Sequence, residues 1–128
     1  MPSFPKSGSC ESPTYLSFIR GLSCYGCDSP PPSSAHHFPP RGRGVTDDTS
    51  TMPVCTPCHQ RAHGITVAGR PNHEGRTTWT PIAEDMQEAA VDSYFRTFMS
   101  EAPQIQVDQV IRDLARRRAD RVYTSWTE

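Results

Sequence analysis

The sequence lacks a long apolar run. No stretch approaches the ~20 residues needed to span a bilayer, so the expectation is a chain with no membrane contact. The opening segment, MPSFPKSGSC, has no apolar h-region, which argues against a secretory signal. Charge of one sign is also missing: 13 Lys and Arg face 14 Asp and Glu, a formal net charge of −1. That excludes the strong basic bias of many nucleic-acid binders as a whole-chain property. Apolar residues are scarce at 34%, and 13 of the 128 residues are proline. A chain this short and polar cannot build a large core, so it needs a staple such as a metal ion, a disulfide or a partner.

What is present supplies that staple. Without an export signal, the five cysteines are expected in a reducing, cytoplasmic compartment, where regularly spaced pairs bind metal more often than they form disulfides. Four follow the pattern Cys24-x2-Cys27 and Cys55-x2-Cys58, with 27 residues between the pairs. Each pair forms a tight knuckle whose thiolates converge on one ion. Two knuckles complete the closed four-sulfur tetrahedron of a structural zinc, Zn²⁺. Cys10 has no neighbour in the pattern and reads as an unengaged thiol in a disordered start, residues 1–11.

The order along the chain predicts an α+β architecture. Ser12 and Pro13 open a short amphipathic helix that Gly21 ends. A Pro- and Gly-rich loop leaves room for two short strands, near 34–38 and near 51–54. Thr56, Pro57 and Gly64 mark both ends of the next helix. An extended loop follows. Thr80 and Pro81 start a longer helix with Ile82, Met86, Ala90, Val91, Tyr94, Phe95 and Phe98 as its apolar side. Pro103 breaks it. The last helix spans about 105–122, with Val107, Val110, Ile111 and Leu114 inward and a basic outer face that includes Arg116, Arg117 and Arg118. The expected organisation is a disordered segment 1–11, a zinc-stapled core 12–79 and a helical extension 80–128.

The histidines form a second pattern. Cys58 and His59 are adjacent and diverge by about 100° on a helix, so one cannot share the other's ion. His63 lies four residues after His59, on the same face. This i, i+4 pair supplies two ligands of a metal site that keeps positions open for water and substrate. His36 and His37 neighbour each other on a predicted strand, so their side chains point to opposite faces. One can join the metal while the other stands clear. His73, in a polar loop, reads as exposed. Between Arg41 and Arg76 there are five arginines and three acids, which mildly favours a polyanion near this segment.

CYGC, AHHF and DDTSTMPVCTPCHQRAHG, in that order, resemble the HNH endonucleases, particularly phage and restriction-type members with two Cys-x2-Cys knuckles. The resemblance covers about residues 20–64. It implies a ββα-metal (HNH, treble-clef-like) fold and DNA as substrate. Of the His-His pair, it makes His36 a ligand and His37 the general base. His59 and His63 complete the site for a catalytic divalent ion, Mg²⁺, Mn²⁺ or Zn²⁺. The family often places Asn in the loop that orients the base. Here the loop offers Asp47, Asp48 and Ser50, and Asp48 is the expected substitute. Arg61, or Arg41 and Arg43 in the RGRG loop, are the expected phosphate contacts. No separate recognition domain is visible. The expectation is therefore weak specificity, a recruiting protein, or a homodimer through the terminal helices. The alternative is a four-cysteine zinc module that binds nucleic acid or protein without chemistry.

Overall fold

The computed structural model describes residues 10–38, 47–68 and 78–127, with 117–127 described as backbone only. Within them the chain is α+β. Four helices accompany two short antiparallel sheets: α1 (Pro13–Arg20), β1 (Ser34–His37), β2 (Thr51–Val54), α2 (Thr56–Ala62), β3 (Val67–Ala68), β4 (Thr78–Trp79), α3 (Glu84–Glu101) and α4 (Gln104–Thr127).

Helix α1 starts where its sequence dictates. Ser12 caps it, its hydroxyl accepting from the Tyr15 amide at 3.3 Å, and Pro13 fills a first-turn position that needs no N–H donor. Its apolar face carries Tyr15 and Ile19 into a cluster with Phe98 of α3 and Val107 and Val110 of α4. Tyr15 and Phe18 both meet the Phe98 ring edge-on, with centroids 5.1 and 4.9 Å away.

Strands β1 and β2 pair in a register that sets Ser34 against Val54 and His37 against Thr51. All four residues of β2 are buried, because both α1 and α3 pack against it. Pro53 is tolerated there: it donates no ladder bond, and its carbonyl accepts from the Tyr25 amide at 2.8 Å. Met52 and Val54 join Cys24, Cys58, Ile82, Ala90 and Val91 in the second core cluster. The knuckles, the hairpin and α3 therefore contribute to one cluster.

Helix α2 follows β2 directly. Its N-cap is Cys55, one residue before the expected Thr56, and the cap makes no side-chain bond. The Cys55 side chain is drawn to the other thiols, so Thr56 and Pro57 form the first turn. The C-terminal end is closed by Gly64 at φ +91°. The Gly64 amide donates to Arg61 O at 3.0 Å and the Ile65 amide to Gln60 O at 3.1 Å. This is the Schellman pairing, which needs a left-handed residue and favours glycine there.

Several expectations are corrected. Helix α3 begins at Glu84, capped by Ala83, and not at Thr80-Pro81. Arg61 holds the intervening segment extended: its Nε donates to Thr80 O and its backbone carbonyl accepts from the Ile82 amide. Met86 is 51% exposed and Ile111 47%. On α3 the buried stripe is Gln87, Ala90, Val91 and Phe98, and Met86 sits one residue around from it. Cys10 is buried at 1% exposure; it bridges to Asp47, and its carbonyl accepts from the Asp48 amide at 2.9 Å. The packed chain thus begins at least as early as Cys10. Residues 1–9, and the loop holding His73, lie outside the described residues.

Candidate metal centres

Helix α2 presents one cluster on each side. Toward the first knuckle, the thiol sulfurs of Cys24, Cys27, Cys55 and Cys58 all lie within 4.8 Å of one another. The Cys27 and Cys55 sulfurs are 3.5 Å apart. A tetrahedron with Zn–S bonds of ~2.3 Å has edges of about 3.8 Å, so the four donors stand at nearly the spacing the ion requires. The turn around Gly26 sets this up. Its amide donates to Cys24 Sγ at 3.2 Å. A Cβ at that position would meet Cys58 Sγ at 2.7 Å, so only glycine lets the knuckle close over α2.

Burial pushes the Cys55 and Cys58 thiols up. Burial also opposes ionisation of Cys27, but hydrogen bonds from Ser29, Cys55 and Cys24 bring it down to about 7. A divalent ion reverses the upward shifts, since a coordinating thiol is deprotonated outright. Four soft donors with N–H···S support suit zinc, and the cluster is positioned to hold it.

On the other side of α2 lie His36, His59 and His63, whose donor nitrogens also fall within 4.8 Å of one another. The His59 and His63 rings are stacked, with centroids 5.1 Å apart at 28°. His36 meets them edge-on at 5.1 and 4.9 Å. His63 is the C-cap of α2, still one turn beyond His59. Three imidazoles from two elements fit the three-ligand pattern of a site that leaves coordination positions open. The His36 and His59 rings resist protonation. Burial, then the neighbouring His59, His63 and His37, hold His36 down to about 4 against the opposing hydrogen bond from Gln87. Burial, then His63 and His37, lower His59. Neutral imidazole is the form that binds metal.

His37 is not in the cluster. Its Nε2 lies 2.9 Å from Asp48 Oδ1. An ionised carboxylate only accepts, so against it Nε2 carries a proton, and in the neutral ring the lone pair is on Nδ1. Asp48 is held in turn: the Ser12 amide donates to its Oδ2 at 2.9 Å. The Ser12 hydroxyl donates to Asp113 Oδ2 at 2.7 Å, so α4 braces the same corner. His36, His37, His59 and His63 line one depression of about 380 Å³ together with Leu16, Arg20 and Ala35. Larger hollows of about 570 and 790 Å³ flank α3, but neither is lined by a histidine or cysteine.

Arg61, one of the expected phosphate contacts, lies away from the histidine depression. It stands two residues from each α2 histidine, about 200° around the helix, so it turns to the cysteine side. There its Nη1 donates to Cys58 Sγ at 3.4 Å and its guanidinium lies 5.7 Å from the Trp79 ring centroid. Arg41 and Arg43 lie outside the described residues.

Two residues at the site escape sequence reasoning. Arg20 lines the depression from the last turn of α1; its signal is the spacing from Leu16, one turn earlier. Gln87 places Oε1 2.8 Å from His36 Nε2; its signal is a polar residue within the apolar stripe of α3. Compared with known proteins, the chain matches no family model, no curated protein and no solved structure.

Proposed function

We propose that this protein is a metal-dependent endonuclease of the HNH type that hydrolyses DNA phosphodiester bonds. The observation that carries the reading is the pairing of an oriented base with an open ligand cluster: His37, fixed by Asp48, borders the same depression as His36, His59 and His63. The succession β1, β2, α2 that supports these residues suits the ββα-metal arrangement. The cysteine tetrad, filled with structural zinc, supports the hairpin and helix from below.

His37 Nδ1 takes a proton from a water molecule in the depression. The resulting hydroxide oxygen attacks phosphorus in line, and the bond from phosphorus to the 3′ oxygen breaks. The leaving oxygen takes a proton from solvent water. Asp48 keeps the His37 ring in the required tautomer and stabilises the imidazolium that forms. A divalent ion held by His36, His59 and His63 supplies Lewis acidity for the negative charge on phosphate and leaving oxygen. Arg20, at the rim, reaches a neighbouring phosphate oxygen with charge-assisted hydrogen bonds, a role the sequence also offers to Arg61, or to Arg41 and Arg43. A positioned base contributes ~10²–10⁴-fold in rate. A reducing, cytoplasmic setting keeps the thiols available for zinc.

The competing reading, a non-catalytic four-cysteine zinc module, draws on the closed tetrad alone. Native mass spectrometry with zinc and manganese, followed by incubation with plasmid DNA and Mg²⁺ or Mn²⁺, separates the two. The nuclease holds two ions and nicks or linearises the plasmid. One ion per chain and intact plasmid would leave the binding module.

A further inference from the structure

We propose that Gln87 sets which nitrogen of His36 faces the metal, so that His36 binds through Nδ1, and that α3 thereby clamps the ligand strand to the ligand helix. The proposal rests on the histidine-metal reading above and adds a positioning residue to it.

The argument starts from the Gln87 side chain, which is 1% exposed. Its Nε2 donates to two backbone carbonyls, Ala62 O at 3.0 Å and Ile82 O at 2.9 Å. An amide nitrogen has two protons, and both are used. The alternative flip would set Oε1 against two carbonyl oxygens and is repulsive. The amide orientation therefore follows from the network, and Oε1 can only accept. Its partner, His36 Nε2 at 2.8 Å, must carry the proton. In the neutral ring the lone pair then resides on Nδ1, the nitrogen left for the ion. Outer partners of this kind fix tautomer and ring orientation in metal sites.

The same side chain joins the two ligand-bearing elements. Ala62 precedes His63, and its carbonyl belongs to the last turn of α2, where no intrahelical partner exists. Gln87 satisfies that carbonyl while holding His36 on β1. The His36 to His63 separation thus depends on one amide from α3. Methionine at this position would keep the volume and lose all three bonds.

Two measurements test this. In ¹⁵N-histidine-labelled protein with zinc in the cysteine site and no second metal, long-range ¹H–¹⁵N correlation should show His36 Nε2 as pyrrole-type and Nδ1 as pyridine-type. His36→Asn identifies its signals. The reversed pattern overturns the proposal while leaving the metal reading intact. In Gln87→Met, zinc stoichiometry and the far-UV spectrum should be unchanged, while Mn²⁺ affinity at the histidine site falls ~10–100-fold, read by electron paramagnetic resonance. Unchanged affinity overturns the clamp. If wild type binds no Mn²⁺ that His59→Ala abolishes, the metal reading fails and the proposal with it.

Discussion

The two clusters of α2 differ in how they are closed. The cysteine tetrad supplies four donors, with Cys24 and Cys58 buried, and glycine packs against it so tightly that a Cβ would collide with Cys58 Sγ at 2.7 Å. The histidine trio supplies three candidate donors, one of them exposed, and opens into a depression that His37 and Arg20 also line. Both hang on the same seven-residue helix. A full donor set inside the core stabilises; an incomplete set at a surface hollow leaves room for chemistry. The adjacency of Cys58 and His59 is what allows one helix to serve both.

The largest effect expected from breaking this contrast is at Cys58. Cys58→Ser removes a soft donor from the core and should collapse the fold, since zinc contributes on the order of 10 kcal/mol in domains of this kind, comparable to total domain stability. Loss of the far-UV helical signal together with zinc is the expected result. A folded variant that still holds zinc would show that the tetrad is not the staple.

On the other face the fold should survive and activity should be lost. His37→Ala should keep the fold and both ions yet cut plasmid at least ~10²-fold more slowly, with no recovery at high Mn²⁺, because proton transfer is what is missing. His59→Ala should lose activity through weaker metal binding and recover partly as Mn²⁺ is raised. If His37→Ala cuts normally and His36→Ala resists rescue, the roles of the neighbouring pair are exchanged.

Arg61 sharpens the contrast at smaller scale. Since it serves the cysteine side, Arg61→Ala should cost about 1–2 kcal/mol of stability through lost hydrogen bonds and ring contact. Below the melting transition, cleavage should stay within about twofold of wild type. A large drop in cleavage with unchanged melting would return Arg61 to the phosphate. The smallest effect belongs to Met86→Gln: an exposed position off the buried stripe should change stability by no more than ~0.5 kcal/mol in urea titration.

Much of this was legible because metal ligation and helix ends impose local spacing. The knuckles, the i, i+4 histidines, the Ser12-Pro13 start and the Gly64 stop each show within a few residues of sequence. The residues that escaped are those whose partners are remote. Gln87 reaches His36 across 51 residues and Arg61 reaches Thr80 across 19; a single hydrogen bond leaves no periodic trace. Arg61 has the right chemistry for a phosphate, and helical phase sets it on the cysteine side. The late start of α3 has the same cause, since the Thr-Pro signal was overridden by contacts with α2. Met86 and Ile111 were assigned to the core by a periodicity too coarse to separate neighbouring faces.

The bonds of Ser12 carry a consequence in time. Its hydroxyl waits for Asp113, 101 residues later in the chain. During synthesis the chain emerges N-terminus first, at ~5–20 residues per second. All seven side chains of the two candidate metal clusters have been made once His63 is added, while Gln87 and Asp113 are still to come. For about 1–5 s the nascent polypeptide has all seven of these side chains and neither of the late contacts that reach His36 and brace the Ser12–Asp48 corner. The candidate ligands of this protein are made early and braced late.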